Sequence, residues 1–160
     1  MTRLAVVSGT GRGLGRAIAE ELLGAGWSVI GLERQPGVRR EPRAGLTVLR
    51  HDVRADTPEH LMAAVGDRPV DLLVNNAAQG APGGGVQRAD PDLVLASLDV
   101  AVAGPMRLVA ALLPSLRKAP APVIVNVSSR LGSVTAQARA VSTVSAPATP
   151  TGFRRRRRTC

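Results

Sequence analysis

The sequence predicts an α/β fold built on a doubly wound parallel sheet of about five strands with flanking helices. Three observations carry that expectation. Short runs of β-branched and aliphatic residues alternate along the chain with segments of helical periodicity. Every distinctive polar motif stands at the carboxyl end of one of those runs, where open parallel sheets bind ligands. The apolar residues are mostly Ala, Val and Leu, with Trp27 and Phe153 the only aromatics, a composition suited to helices layered closely on a sheet. The 160 residues amount to a single domain able to bury a core.

The elements follow in order. Residues 4–8 form an apolar run that enters the glycine-rich segment Gly9 to Gly15, which reads as a buried parallel strand feeding a turn. Leu14, Ala17, Ile18, Leu22 and Ala25 then recur at helical spacing, and Gly26 ends the helix. Residues 27–32 form a second strand closed by Glu33 and Arg34. Residues 35–45, rich in proline, glycine and charge, form a loop. A third strand over 46–49 ends at His51, Asp52 and Val53. Thr57 caps a helix that starts at Pro58 and continues through Leu61, Met62 and Val65. A fourth strand over 70–74 ends at Asn75, Asn76, Ala77 and Ala78, followed by a glycine-rich loop over 80–85. A long helical stretch spans about 90–117, with Gly104 and Pro105 expected to bend or divide it. The fifth strand, 123–127, ends at Ser128 and Ser129. There is no internal repeat.

Charge and cysteine usage narrow the function classes. The net charge is +9, but residues 1–129 hold 14 basic and 12 acidic residues. The excess lies in Arg130, Arg139 and Arg154 to Arg158, with no acid after Asp99. A nearly neutral body with a basic tail does not resemble a nucleic-acid-binding domain. The tail has no interleaved aromatics for base stacking and no apolar helical face for a membrane surface. The single cysteine, Cys160, excludes an internal disulfide and a cysteine metal site. The apolar run near the amino terminus is too short for a signal-peptide core, so a cytoplasmic protein without a membrane partner is expected. A nucleoside-triphosphatase is disfavoured, since no Gly-Lys-Ser/Thr phosphate loop exists.

The strand ends carry the chemistry. The glycines fall as Gly9, Gly13 and Gly15 rather than as Gly-x-Gly-x-x-Gly, whose last position would be Leu14. Glycines let backbone approach a pyrophosphate, and the following helix offers unpaired amides and its positive dipole end. A ligand-free flexible turn would show the same spacing. Glu33 ends the second strand, where a carboxylate accepts hydrogen bonds from ribose hydroxyls and repels the 2′-phosphate of NADP. Arg34 and Arg12 instead suit pairing with that phosphate, and a plain surface acid beside an arginine is the third reading.

With these residues in place the chain resembles the short-chain dehydrogenase/reductase family over residues 3–133. Ser8 to Ala19 is similar to the family's cofactor turn and first helix. Asp52 and Val53 resemble its adenine-contacting pair, Asn75-Asn76-Ala77-Ala78 its Asn-Asn-Ala-Gly segment with Ala78 for glycine, and residues 123–129 the strand bearing its catalytic serine. The resemblance implies a Rossmann-type fold and NAD(H) or NADP(H) as cofactor, with Glu33 tilting the choice to NAD. It implies Gly9, Arg12, Gly13, Leu14, Gly15, Glu33, Arg34, Asp52, Val53, Asn76 and Ala77 as cofactor-binding residues. It also implies hydride transfer to or from an alcohol or carbonyl substrate.

The family's proton transfer uses a Tyr-x-x-x-Lys pair, with a serine orienting substrate and an asparagine completing a relay. Here the chain has no tyrosine, residues 141–145 read Val-Ser-Thr-Val-Ser, and the only lysine, Lys118, precedes the serine. Ala101 stands where the family has asparagine. Ser129 alone remains, and a serine without an activating base is a poor acid or base. The expectation is a nucleotide-binding domain at 1–133 that binds cofactor without turning over, and a disordered, arginine-rich tail at 134–160. Helices that would cover the fifth strand and form subunit contacts are expected to be lost. A shifted reading frame in GC-rich DNA would explain the change near Val134, and a Tyr-x-x-x-Lys segment in another frame of the downstream DNA would show it. The other reading is a non-catalytic nucleotide-binding or interaction protein, with nucleic-acid binding through Arg154 to Arg158 as its lesser variant.

Overall fold

The structure is a computed structural model that describes residues 2–35, 43–55, 58–80, 89–129 and 132–136. The chain divides into two units, Met1–Val127 and Ser128–Cys160. The first holds a five-stranded parallel sheet made of β1 (Leu4–Ser8), β2 (Ser28–Glu33), β3 (Leu46–Arg50), β4 (Leu72–Asn75) and β5 (Val123–Asn126). Its order is β3-β2-β1-β4-β5, and all four pairings are parallel. The expected α/β fold with a parallel sheet is therefore present.

The helices are α1 (Gly13–Gly24), α2 (Glu59–Val65), α3 (Pro91–Leu98) and α4 (Gly104–Leu116). Alternate strand residues enter opposite cores, as the two-residue period of a strand requires. Ala5, Val7, Val29 and Val74 pack with Ala19, Ile18 and Leu22 of α1. Leu4, Val6, Ile30, Leu32 and Leu73 pack on the other face with Leu61 and Val65 of α2 and Leu108, Leu112 and Leu116 of α4. Coverage on both faces is why β1 reads as a continuous apolar run rather than an alternating one.

Several expectations are corrected in detail. The buried face of α1 begins at Gly15 and Ala19, while Leu14 is exposed. Pro58 precedes α2 instead of opening it, and Thr57 lies outside the described residues. Gly104 and Pro105 do not divide the long helix. A five-residue π-helical segment, Asp99–Ala103, joins α3 to α4 just before them. A Cβ on Gly104 would lie 2.9 Å from a methyl of Val53, so the missing side chain lets α4 lie directly against the loop after β3.

The run Pro91–Leu116 is long and apolar enough by length and composition to cross a membrane. Its residues Leu108, Leu112 and Leu116 are nonetheless built into the core beneath the sheet. In β5, an outer strand, Val123, Ile124 and Val125 are exposed. In the second unit, residues 134–136 form a helical turn where a patternless tail was expected. The Ser133 hydroxyl caps it by accepting the Ala136 N–H at 3.2 Å. The rest of the tail, including the arginine run, and the loop residues 36–42 and 81–88 lie outside the described residues.

Candidate functional site

The strand order reverses at β1, which has β2 on one side and β4 on the other. In open α/β sheets the ligand crevice lies at that switch point. A cleft of about 790 Å³ opens there, lined by residues from the ends of β1, β2, β3 and β4 and by Val100 of the π segment. Every expected cofactor residue lines it: Gly9, Arg12, Gly13, Leu14, Gly15, Glu33, Arg34, Asp52, Val53, Asn76 and Ala77. Residues scattered over the first half of the sequence are brought together by the parallel sheet.

The glycine turn is held tightly. Gly9 has φ +76°, and a Cβ on Gly15 would lie 2.3 Å from both the Gly9 carbonyl oxygen and Asn76 Nδ2. No side chain fits there. Gly13, at φ +57°, has nothing within 4 Å of where its Cβ would be, so the chain keeps an open cradle at the start of α1. Arg12 sits at the N-cap with no side-chain cap bond, and no acidic residue stands in the first turn of α1, so the positive dipole end of the helix is uncompensated within that turn. This cradle fits a pyrophosphate.

Two buried hydroxyls that the sequence reading passed over fix the turn to its neighbours. The Ser8 hydroxyl accepts the backbone N–H groups of Asn76 and Ala77, each at 3.0 Å, and donates to the Val74 carbonyl at 3.4 Å. Asn76 Nδ2 donates to the carbonyl oxygens of Ser8 at 3.0 Å and Gly9 at 3.3 Å. Asn76, expected as a cofactor ligand, thus also braces the turn from β4. Ser8→Ala leaves two N–H donors unsatisfied, and we expect it to cost roughly 2–4 kcal/mol; urea unfolding with an unchanged midpoint would contradict this. The Thr10 hydroxyl donates to Glu33 Oε1 at 3.0 Å. Both residues are buried, so Glu33 is a fixed wall of the crevice and the surface-acid reading does not hold.

The far end of the cleft is formed by the residues that follow β3, His51, Asp52 and Val53. Asp52 accepts the Arg54 backbone N–H at 3.0 Å and the Arg54 guanidinium at distances down to 2.7 Å. These bonds hold its carboxyl at about 2, below the usual carboxylate range, against a smaller opposing effect of burial. Arg54 engages both Asp52 oxygens, so the adenine contact expected of this carboxylate would have to be shared with, or displace, the Arg54 pairing. Val53 is buried against Gly104 and forms the wall. His51, only 6% exposed, has Nδ1 3.3 Å from Nε2 of His60. Burial first and the His60 charge second lower its pKa below the ordinary 6.5, while Asp52 works the other way. The Ser8, Thr10 and His51 pairings escape sequence reading because their partners lie on different elements, up to 69 residues apart for Ser8 and Ala77.

Of the expected catalytic positions, Ala101 lies exposed in the π segment. Ser129 belongs to the second unit, where its carbonyl accepts the Gly132 N–H at 2.9 Å. Among the described residues no group of three or more metal-ligating side chains occurs.

Comparison with known proteins gives one consistent result. The model of the short chain dehydrogenase family matches residues 3–145, further than patterning alone suggested. The chain is similar to a short-chain dehydrogenase from Streptomyces avermitilis at 30% identity and TM-score 0.69, covering 81% of this chain and 50% of that one. It also shares the fold of the NADPH-bound carbonyl reductase from chicken fatty liver, at 22% identity and TM-score 0.73, covering 84% and 62%. A third likeness is the 3-ketoacyl-(acyl-carrier-protein) reductase from Brucella melitensis complexed with NADH, at 21% identity and TM-score 0.62, covering 72% and 51%. This chain therefore spans one half to under two thirds of the length of each. No curated protein matches it significantly.

Proposed function

The chain belongs to the short-chain dehydrogenase family, and on that premise we propose that its crevice binds a nicotinamide dinucleotide. The observation that carries this reading is the cradle at Gly9, Gly13 and Gly15. The glycines at the start of α1 bring bare backbone to the crevice, with nothing described within 4 Å of a Cβ at Gly13, at the switch point of the sheet. The pyrophosphate rests on that backbone, with Gly9 and Gly15 kept close by Asn76 and Ser8. Asp52, Val53 and Ala77 flank the adenosine and nicotinamide ribose, and Arg12, Leu14 and Arg34 close the rim.

NAD is favoured over NADP. Glu33 is fixed in the wall by Thr10, and a carboxylate there accepts ribose hydroxyls while repelling a 2′-phosphate. Arg12 and Arg34 on the rim work in the opposite direction, which reduces the preference without reversing it.

When bound, the cofactor supplies hydride exchange with an alcohol or carbonyl. This chain's own residues bind and orient it but lack the proton-transfer pair. There is no tyrosine, the only lysine is Lys118, and Ala101 holds the asparagine position. The chain therefore binds cofactor and does not turn it over, with residues 1–133 as the binding domain. The family's hydride-transfer chemistry needs a tyrosine–lysine pair that these 160 residues lack, and a non-catalytic nucleotide-binding role is the second reading.

Fluorescence titration with NADH and NADPH, followed by assay on generic carbonyl substrates, tests the proposal. Binding without turnover, tighter for NADH, is the expected result. Failure to bind either nucleotide would overturn the binding role. Turnover that Ser129→Ala abolishes would overturn the assignment of impaired chemistry.

A further inference from the structure

We propose that His51 is a further nucleotide-contacting residue of the crevice, and that with His60 it accepts the adenosine half only when its ring is uncharged. The inference rests on the crevice being a nucleotide site, as proposed above. It begins from position. His51 follows β3 directly, its backbone N–H bonds the Glu33 carbonyl at 2.9 Å, and it lines the cleft beside Asp52 and Val53.

The ring's two nitrogens have different surroundings. Nδ1 faces His60 Nε2 at 3.3 Å, with the ring centroids 5.2 Å apart. Among the described residues Nε2 has no protein partner, nor is it a fully buried orphan. With Nδ1 engaged by His60, Nε2 is the ring nitrogen left to meet a ligand in the cleft that His51 lines. His60 fixes the imidazole plane from α2, as an outer partner orients a ligating ring.

The surrounding charges decide which form of the ring binds. The charged groups that act on His51 are His60 from α2 and Asp52 on its own loop, the latter paired with Arg54, while Glu33 at the end of β2 accepts the His51 backbone N–H through its carbonyl. Asp52 is the natural counter-ion, but both of its oxygens are engaged by Arg54. Burial and His60 oppose a charge on the ring. A nucleotide laid over His51 removes its last contact with water and deepens that penalty, because a buried charge without a committed partner is costly. Binding therefore favours the neutral ring and lowers its pKa further.

The sign follows from linkage. Where free protein carries more protons than the complex, affinity falls as pH falls, by at most tenfold per pH unit for one proton. Asp52, held at about 2, stays ionised at pH 5 and above and does not contribute.

Isothermal titration of the whole chain with ADP-ribose between pH 8 and pH 5 tests this. The probe lacks nicotinamide, and its pyrophosphate does not titrate in that range. The dissociation constant should rise about three- to tenfold from pH 7.5 to pH 5. His51→Gln should remove that dependence. His60→Gln, at an exposed position of α2, should move the loss of affinity to higher pH by removing a neighbour that opposes the charge. Circular dichroism at each pH confirms that the variants remain folded; if His51→Gln unfolds, the direction of the His60→Gln shift decides alone. Pure wild-type binding without pH dependence, or an unchanged profile in His60→Gln, would overturn the proposal. If ADP-ribose binds at no pH, the nucleotide reading itself fails and this inference with it.

Discussion

Gly15→Ala should abolish nucleotide binding and lower the stability of the fold by about 3 kcal/mol or more. Two effects compete at this position. In an open helix, alanine is worth up to about 1 kcal/mol over glycine. At Gly15 the new methyl would sit 2.3 Å from the Gly9 carbonyl oxygen and from Asn76 Nδ2. Neither neighbour is free to withdraw, because Gly9 is pinned at φ +76° and Asn76 is anchored through Ser8. The turn must open, and overpacking of this kind overrides propensity. Gly24→Ala is the matched control. It lies in the same helix with nothing within 4 Å of its Cβ position and should be neutral or slightly stabilising. Thermal melts and NADH titration of both variants check the pair. Equal melting temperatures and equal affinities would show that the turn is not as tightly built as its geometry requires.

Leu112→Ala should destabilise the chain by roughly 2–5 kcal/mol through the cavity it leaves. Leu112 is fully buried at the middle of α4, in the core that joins this helix to the sheet and to α2. Such a loss is a large share of the roughly 5–15 kcal/mol that holds a domain folded. Met106, on the same helix but 67% exposed, should change stability by no more than about 0.5 kcal/mol when replaced by alanine. Urea unfolding with unchanged slope measures both differences. A loss below about 1 kcal/mol for Leu112→Ala would mean that α4 is not docked as described.

That contrast marks where sequence patterning loses its power. Helical spacing identifies the stretch from 91 to 116, but Leu95, Leu98, Val102 and Met106 are as apolar as Leu108, Leu112 and Leu116, and the first four are exposed. A helix apolar around most of its circumference does not declare its buried face. The π segment is equally silent, since Gly104 and Pro105 suggest a break and the helix instead absorbs an extra residue just before them. Asp52 and Glu33 were legible as site residues, but not that Arg54 clamps the first or that Thr10 fixes the second.

The sequence by itself determined the α/β fold, the positions of all five strands to within about two residues, eleven residues that line the crevice and the lack of a tyrosine–lysine pair. These follow from local information: strand propensity, glycine at turns, and motif order along the chain. Only the tertiary structure decided the strand order, which face of the long helix is buried, and how the turn is braced by Ser8 and Asn76. It alone placed His51 against His60. Each of these depends on pairs of groups that the sheet brings together from distant segments, and such pairs leave no periodic mark in the chain that carries them.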